Sequence, residues 1–247
     1  MRTLLIDGDI LIYKIATKNE IPTHWGDGLW TLHCDENICK AEVDNQIQEL
    51  QENLKADKYI VALTDKSNFR KDILPSYKDN RKQKRKPMLL PTLRQYCFDA
   101  HDAVVMEGLE ADDVLGILST EPTNDEKIIV SIDKDLLQIP GKISKDGVTI
   151  DEVSSQEADY WHMMQTLCGD ATDGYSGCPQ VGVKTAQKIL GDHINVPLLD
   201  LWQRALAAYA KVGYSTDEAL AQARVARILR HNDYDRDTGG IKLWRIA

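Results

Sequence analysis

The sequence predicts an α/β fold: a twisted, mainly parallel sheet with helices on both faces, followed by a C-terminal helical lobe. Three observations predict it. Short apolar runs rich in β formers at residues 3–6, 59–64 and 128–132 read as buried central strands. Segments with helical spacing separate these runs, the alternation of parallel strands joined by helical crossovers. From residue 155 onward the pattern is helical.

Taken in order, residues 3–6 form the first strand, Asp7-Gly8-Asp9 ends it, and residues 10–13 open a helix. A loop follows around Trp25-Gly26-Asp27-Gly28. Over residues 36–55, Ile38, Ala41, Ile47, Leu50 and Leu54 recur at helical spacing, giving an amphipathic helix to pack on the sheet. The second strand, 59–64, leads to Asp65. Residues 93–100 read as helix, 103–106 as a short strand and 112–119 as a helix that stops before Pro122. Residues 128–132 are the clearest buried strand, and 148–150 add an edge strand. Helices are predicted over 158–168, 184–190, 198–212 and 215–230, the last opened by Ser215 and Glu218 at capping-box spacing.

A chain of 247 residues can bury a sizeable core. The five cysteines, at 34, 39, 97, 168 and 178, form neither a CxxC pair nor an even disulfide framework, and no signal pattern opens the chain, so a reduced cytoplasmic protein is expected. No apolar run approaches the ~18 residues of a membrane span. The net charge of −9 says little about any one face, because it is a sum over the whole surface.

Acids recur where ligands gather in such folds. Asp7 and Asp9, Asp65, and Asp133 and Asp135 follow predicted strands; Glu110, Asp112 and Asp113 open a helix; Asp170 and Asp173 sit in a Gly-containing turn. Each alone is an ordinary cap or surface group. At the carboxyl ends of strands in an open α/β sheet, however, they converge on one crevice. Two carboxylates ~5 Å apart repel by about 3 kcal/mol at an effective dielectric near 20, and divalent cations relieve that repulsion. Oxygen-only ligation suits Mg²⁺, with Mn²⁺ as a substitute, rather than zinc. A pair of such ions can hold the attacking and leaving oxygens of a phosphoryl displacement, so the pattern points to phosphodiester hydrolysis. The phosphate cradle GxxxxGK[ST] of competing phosphoryl-transfer classes is absent from the sequence.

Residues 69–86 end with five bases in six positions, which could hold a polyanion beside the acids. Tyr77, Lys82, Lys84 and Arg85 are its candidate DNA contacts, and on a helix Lys78 and Arg81 would share a face and reach one phosphate. The turn at 177–186 opens a helix with Lys184 in its first turn, and backbone N–H groups there can bind phosphate without reading bases. Gly177, Gly182 and Lys184 are the candidates on it.

Together these motifs resemble the metal-dependent 5′-nuclease superfamily, in particular the 5′-to-3′ exonucleases of small-tailed bacteriophages. The carriers are IDGD at 6–9, FRKDILPSYKDNR at 69–81, LEADD at 109–113, SIDKD at 131–135, GDATDGYSG at 169–177 and GVKTA at 182–186, with ARILRHNDY and KLWR near the end. The resemblance implies a PIN-like catalytic core over 1–154 with a helical arch at about 77–105, and a helical lobe over 155–247 packed on it as one unit. It implies two metal ions, with Asp7, Asp65, Glu110, Asp112 and Asp113 around one and Asp133, Asp135, Asp170 and Asp173 toward the other. Lys78 and Arg81 match the catalytic basic pair on the scissile phosphate, and the turn from Gly177 to Lys184 matches a helix-turn-helix element holding duplex phosphates, often with K⁺. The chain has Gln180 where the family commonly has Gly, and Val183 where it has Pro. Asp9 falls at a variable position and is not counted as a ligand. The implied substrates are double-stranded DNA with 5′ ends or flaps and RNA–DNA hybrids, handled by a monomer in the host cytoplasm during phage replication and recombination. Two rival readings are a non-catalytic DNA-binding module and a PIN-type ribonuclease.

Overall fold

The computed structural model describes residues 1–191 and 196–246. In chain order the elements are β1 (Arg2–Asp7), α1 (Gly8–Lys18), β2 (Ile21–His24), β3 (Trp30–His33), α2 (Glu36–Leu54), β4 (Lys58–Ala62), α3 (Arg70–Ile73), α4 (Leu90–His101), α5 (Ala111–Ser119), β5 (Glu126–Val130), β6 (Gly141–Ser144), β7 (Asp151–Val153), α6 (Ser155–Cys168), α7 (Val183–Leu190), α8 (Leu198–Lys211), α9 (Thr216–Ala226), β8 (Tyr234–Asp235) and β9 (Gly240–Ile241). The main sheet has the order β4-β1-β5-β6-β7. Its first four strands are parallel, and β7 closes the edge antiparallel to β6.

The apolar runs become strands because both of their faces are covered. Leu4, Ile6, Ile128 and Val130 point into a core shared with α1, α2 and α4. Leu5 and Ile129 point the other way, into a core shared with α5 and the segment after α9. This is the period-2 alternation of a strand buried on both sides. A third core lies among α6, α7, α8 and α9. The chain passes from β1 to β4 on one side and to β5 on the other, so a crevice opens at the carboxyl end of β1.

Several expectations shift. The Gly and Trp loop is a hairpin, β2 paired antiparallel with β3. Residues 103–106 make one parallel bridge, Ala62 to Val104, rather than a strand. The edge strand falls at Asp151–Val153, and Asp146 Oδ1 accepts the N–H groups of Val148 and Thr149 at 2.9 and 2.7 Å, which bends the chain before it. β6, with little apolar character, was not foreseen.

The arch expected at about 77–105 is not a helical arch in this structure. A 3₁₀ turn, Asp79–Arg81, and further turns lead to α4, whose Leu93 and Cys97 are buried against the sheet. The basic run has no apolar stripe to stabilise a helix, whereas α4 has one. Lys78, with φ of 58°, lies outside any helix, so it does not share a helical face with Arg81.

α9 stops at Ala226, short of the predicted 230, and residues 227–229 run extended across α5. The approach is close: a Cβ on Gly116 would sit 2.2 Å from the Leu229 carbonyl oxygen. Gly116→Ala is therefore expected to destabilise the protein by about 2–3 kcal/mol, since a backbone must move to admit the methyl group, read as a fall of several degrees in Tm.

Candidate active site

The crevice is an open cleft of ≈ 530 Å³ lined by Asp7, Asp9, Lys78, Arg81, Glu110, Asp112, Asp133, Asp135, Asp170 and Asp173. Asp7 ends β1 and caps α1, accepting the Ile10 N–H at 3.1 Å and the Ser131 hydroxyl at 2.8 Å. Ser131 Oγ in turn accepts the Asp133 N–H at 3.1 Å, and Asp133 Oδ1 accepts the Asp135 N–H at 2.8 Å. The ends of β1 and β5 are thus stitched into one acidic wall.

Glu110 caps α5 reciprocally with Asp113. Asp170 and Asp173 come from the turn after α6, where Asp170 Oδ1 accepts the Thr172 N–H at 2.6 Å. That turn is bound to the basic segment: Lys78 N–H donates to the Asp173 carbonyl at 2.7 Å, Asn80 Nδ2 to the Ala171 carbonyl at 2.7 Å and Arg81 Nε to the Thr172 carbonyl at 3.0 Å.

Charge is unevenly balanced across the cleft. On one side, Lys78 Nζ donates to Glu110 and lies 3.4 Å from Asp173, and Arg81 pairs with Asp173. Burial pushes Glu110 up, but Arg70 and Lys78 outweigh it and hold the carboxyl below the usual range. On the other side, Asp7 is pushed up to about 6 by burial, with Asp9 and Asp133 adding repulsion. Asp135 is pushed up to about 7 by burial and then by Asp133 and Asp170. Asp112 is raised by burial and by the negative charges of Asp7, Asp133 and Glu110.

Among the described residues no three His, Cys, Asp or Glu side chains stand preassembled around one point. Repulsion spreads the acids, and Lys78 and Arg81 draw Glu110 and Asp173 to themselves. The donor set still fits a hard divalent cation. It is all carboxylate oxygen, and Asp135 Oδ1 is buried with no hydrogen-bond partner.

Some expected site residues lie elsewhere. Asp113 is fully buried and forks onto Arg70, whose two terminal nitrogens donate to Oδ2 and Oδ1 at 2.7 and 2.8 Å. Its oxygens are spent on Arg70 and the Glu110 and Leu229 N–H groups, so it is not placed to ligate a metal. Asp65 lines an adjoining cavity, accepting the Ser67 hydroxyl and the Gly108 N–H, which hold its carboxyl far below the usual range.

Tyr77 is buried, with its hydroxyl 2.9 Å from both Glu110 and Asp173, so it positions acids and presents no surface to DNA. Lys82, Lys84 and Arg85 line the adjoining cavity, Lys82 pairing with Asp79 and Arg85 with Glu20. Gly177 does not offer its N–H to phosphate, since Gln222 Oε1 accepts it at 2.9 Å. Gly182 is the cap of α7, and Lys184 is exposed one residue into that helix. Asp9, discounted from sequence, lines the cleft and accepts the Thr64 N–H at 3.0 Å. Ser131, Asn80 and Arg70 were also missed, and the polar, charged neighbours of Arg70, Lys71 and Asp72, gave no sign in the sequence that its guanidinium is buried.

Residues 2–165 match the family described as 5′-3′ exonuclease, N-terminal resolvase-like domain. The chain belongs to the 5′-3′ exonuclease family. It is an enzyme, a nuclease of the 5′-3′ exonuclease and flap type. It is 29% identical to an exonuclease of Escherichia phage T7 over 278 aligned residues, covering 98% of this chain and 93% of that protein. It is 31% identical to the flap endonuclease Xni of Vibrio campbellii, covering 69% of this chain and 70% of that one. A bacteriophage T5 flap endonuclease, described as a pseudo-enzyme–product complex with DNA and metal ions, shares the fold at a TM-score of 0.56 and 17% identity, over 92% of this chain and 99% of that one. A T5 5′-exonuclease with bound zinc ions aligns at a TM-score of 0.57 and 16% identity, over 92% of this chain and 99% of that one. No helix among the described residues of this exonuclease is long and apolar enough to cross a membrane.

Asp113→Ala leaves Arg70 buried and unpaired, and is expected to lower stability by about 3–5 kcal/mol in denaturant titrations. For Asp7 the folded pKa of about 6 exceeds the ordinary 3.8. Below pH ~4 both states are protonated; as pH rises toward 6 the unfolded chain releases a proton that the folded chain keeps, so stability falls, by about 3 kcal/mol once Asp7 is ionised in both states. In EDTA, Asp7→Asn is expected to be more stable than wild type at pH 7, with the difference shrinking toward pH 4.

Proposed function

We propose that the cleft hydrolyses phosphodiester bonds at the 5′ ends of double-stranded DNA with two Mg²⁺ ions, for which Mn²⁺ can substitute. The observation that carries this reading is the gathering of Asp7, Glu110, Asp112, Asp133, Asp135, Asp170 and Asp173 in one cleft with Lys78 and Arg81 at its rim. Asp7, Glu110 and Asp112 would hold one ion, and Asp133, Asp135, Asp170 and Asp173 the other, with Asp9 adding negative charge. Asp113 is left out because Arg70 and two backbone N–H groups engage both of its oxygens, and Asp65 because it lines the adjoining cavity, with Oδ2 accepting from Ser67 and Gly108. When bound, the ions supply Lewis-acid activation of water and charge stabilisation at the leaving oxygen.

The chain's own residues do the rest. Tyr77 steadies Glu110 and Asp173 from below. Once those carboxylates are neutralised, Lys78 Nζ and the Arg81 guanidinium are free to take the scissile phosphate, one as a point charge and the other as a planar fork.

The duplex would be held downstream by the turn between α6 and α7, acting as a helix-turn-helix element. Gly182 caps α7 without a side-chain hydrogen bond, which leaves first-turn N–H groups for phosphate beside Lys184. The two departures from the family pattern stand where this chain's backbone suits the residues they replace. Gln180 has φ of 63°, a conformation that favours glycine, and Val183 is the first residue of α7, a position that favours proline. Both positions support a K⁺ site on this turn.

We read 1–154 as the catalytic core and 155–247 as the lobe that binds duplex. The enzyme would also trim flaps and remove RNA from RNA–DNA hybrids, as a monomer in the host cytoplasm, clearing primers and processing ends during phage replication and recombination.

The test is cleavage of 5′-labelled duplex, flap and hybrid substrates in Mg²⁺ and in EDTA. Asp133→Asn keeps the cap on the Asp135 N–H and removes a charge; it is expected to lower the rate about a hundredfold or more, the loss of several kcal/mol of transition-state stabilisation. Lys184→Ala is expected to weaken duplex binding several-fold and to reduce the salt slope by about 1. Full activity in EDTA would refute the reading.

A further inference from the structure

The β2–β3 ribbon, residues 21–33, is unlike the rest of the surface. Trp25 is 67% exposed and Trp30 62%, with Ile21 and Leu29 similarly open. None of these side chains joins a buried cluster among the described residues. Yet the indoles are held. Trp30 lies over His24 with ring centroids 4.4 Å apart, and Trp25 Nε1 donates to Thr31 Oγ1 at 2.7 Å. Cross-strand pairs His24–Trp30 and Thr23–Thr31 point to alternate faces, so one indole flanks each side of the ribbon.

The ribbon contains no Lys or Arg, but its root is tied to residues that do. Glu20 accepts two hydrogen bonds from Arg85, at 2.9 and 2.5 Å, and the Met88 N–H at 2.6 Å. Arg85 belongs to a cationic cavity of ≈ 1000 Å³ that shares Lys78, Arg81 and Glu110 with the cleft and includes Lys82, Lys84, Lys86 and Arg94. Along its floor runs α1, from Asp9 at the cleft past Tyr13, which is 50% exposed one helical turn on, toward Glu20. Eleven residues of helix span ~16 Å, the reach of a few nucleotides of extended strand.

Cations for backbone and exposed ring faces for bases are the two parts of a single-strand site. We infer that the ribbon, through Trp25 and Trp30, is a stacking platform for the unpaired bases of a 5′ single-stranded tail that the cationic cavity leads away from the cleft. This rests on the proposed reading that the cleft takes nucleic acid.

The test is binding, in EDTA, of blunt duplex and of the same duplex bearing 5′ oligothymidine tails of about four and about twelve nucleotides, read by tryptophan fluorescence and by anisotropy. The longer tail should quench the emission of the wild-type protein, and the Trp25→Ala/Trp30→Ala double variant should lose that quenching. In that variant the affinity ratio of long-tailed to blunt duplex should fall about tenfold, with Trp25→Phe/Trp30→Phe recovering most of it. Absence of quenching by the long tail, an unchanged ratio, or an equal loss for the short tail would each overturn the platform and assign the ribbon to another partner. Cleavage of blunt duplex by the wild-type protein in Mg²⁺ tests the nuclease reading separately, so either can fail alone.

Discussion

Repulsion among carboxylates confined to one cleft is the constraint on which the rest of this structure depends. Eight acids from β1, α1, the start of α5, the segment after β5 and the turn after α6 share a volume in which negative charges raise the cost of ionising their neighbours. The protein answers in two ways. Lys78 and Arg81 neutralise Glu110 and Asp173 on one flank. On the other flank Asp7, Asp112 and Asp135 keep raised proton affinities, and one oxygen of Asp135 stays unpartnered. A pocket arranged in this way is frustrated in isolation and satisfied by hard cations, the state an active site must have if ion and substrate binding are to reorganise it.

A second ion pair, buried behind the cleft, holds the frame in which that frustration can persist. Besides forking onto Asp113, Arg70 donates to the carbonyls of Val225 and Arg227 at 2.9 and 2.6 Å. Asp113 accepts the Leu229 N–H at 3.0 Å. One guanidinium thereby joins the basic segment, the acidic helix α5 and the chain leaving α9. The C-terminal segment is part of the wall behind the acids of the cleft rather than an appendage, and Gly116 exists at the one place where its backbone must lie flush.

The acids of the cleft and the exposed cations occupy different parts of the molecule. Acids at the strand ends belong to the sheet, whose geometry is rigid because both faces are covered. The cations and exposed rings sit on turns and a projecting ribbon, where side chains can follow a flexible polyanion. This division explains how a protein of net charge −9 can present a cationic surface beside its most acidic pocket.

The sequence by itself determined the central strands, the helical lobe and most of the acidic set, because hydrophobic period and strand-end placement are local properties written in consecutive residues. It also carried the pattern of the 5′-3′ exonuclease family, whose motifs are short and ordered along the chain. What it could not decide was which acids face the cleft. Asp112 and Asp113 are adjacent, yet a helical turn sends one to the cleft and the other to Arg70, a partner 43 residues away in the chain. Asp9 lines the cleft with Thr64 N–H on one oxygen, whereas Asp65 lines the adjoining cavity with Ser67 and Gly108 on one of its own. Such choices rest on long-range pairing and burial, which exist only once the chain has folded, and so the tertiary structure alone made them.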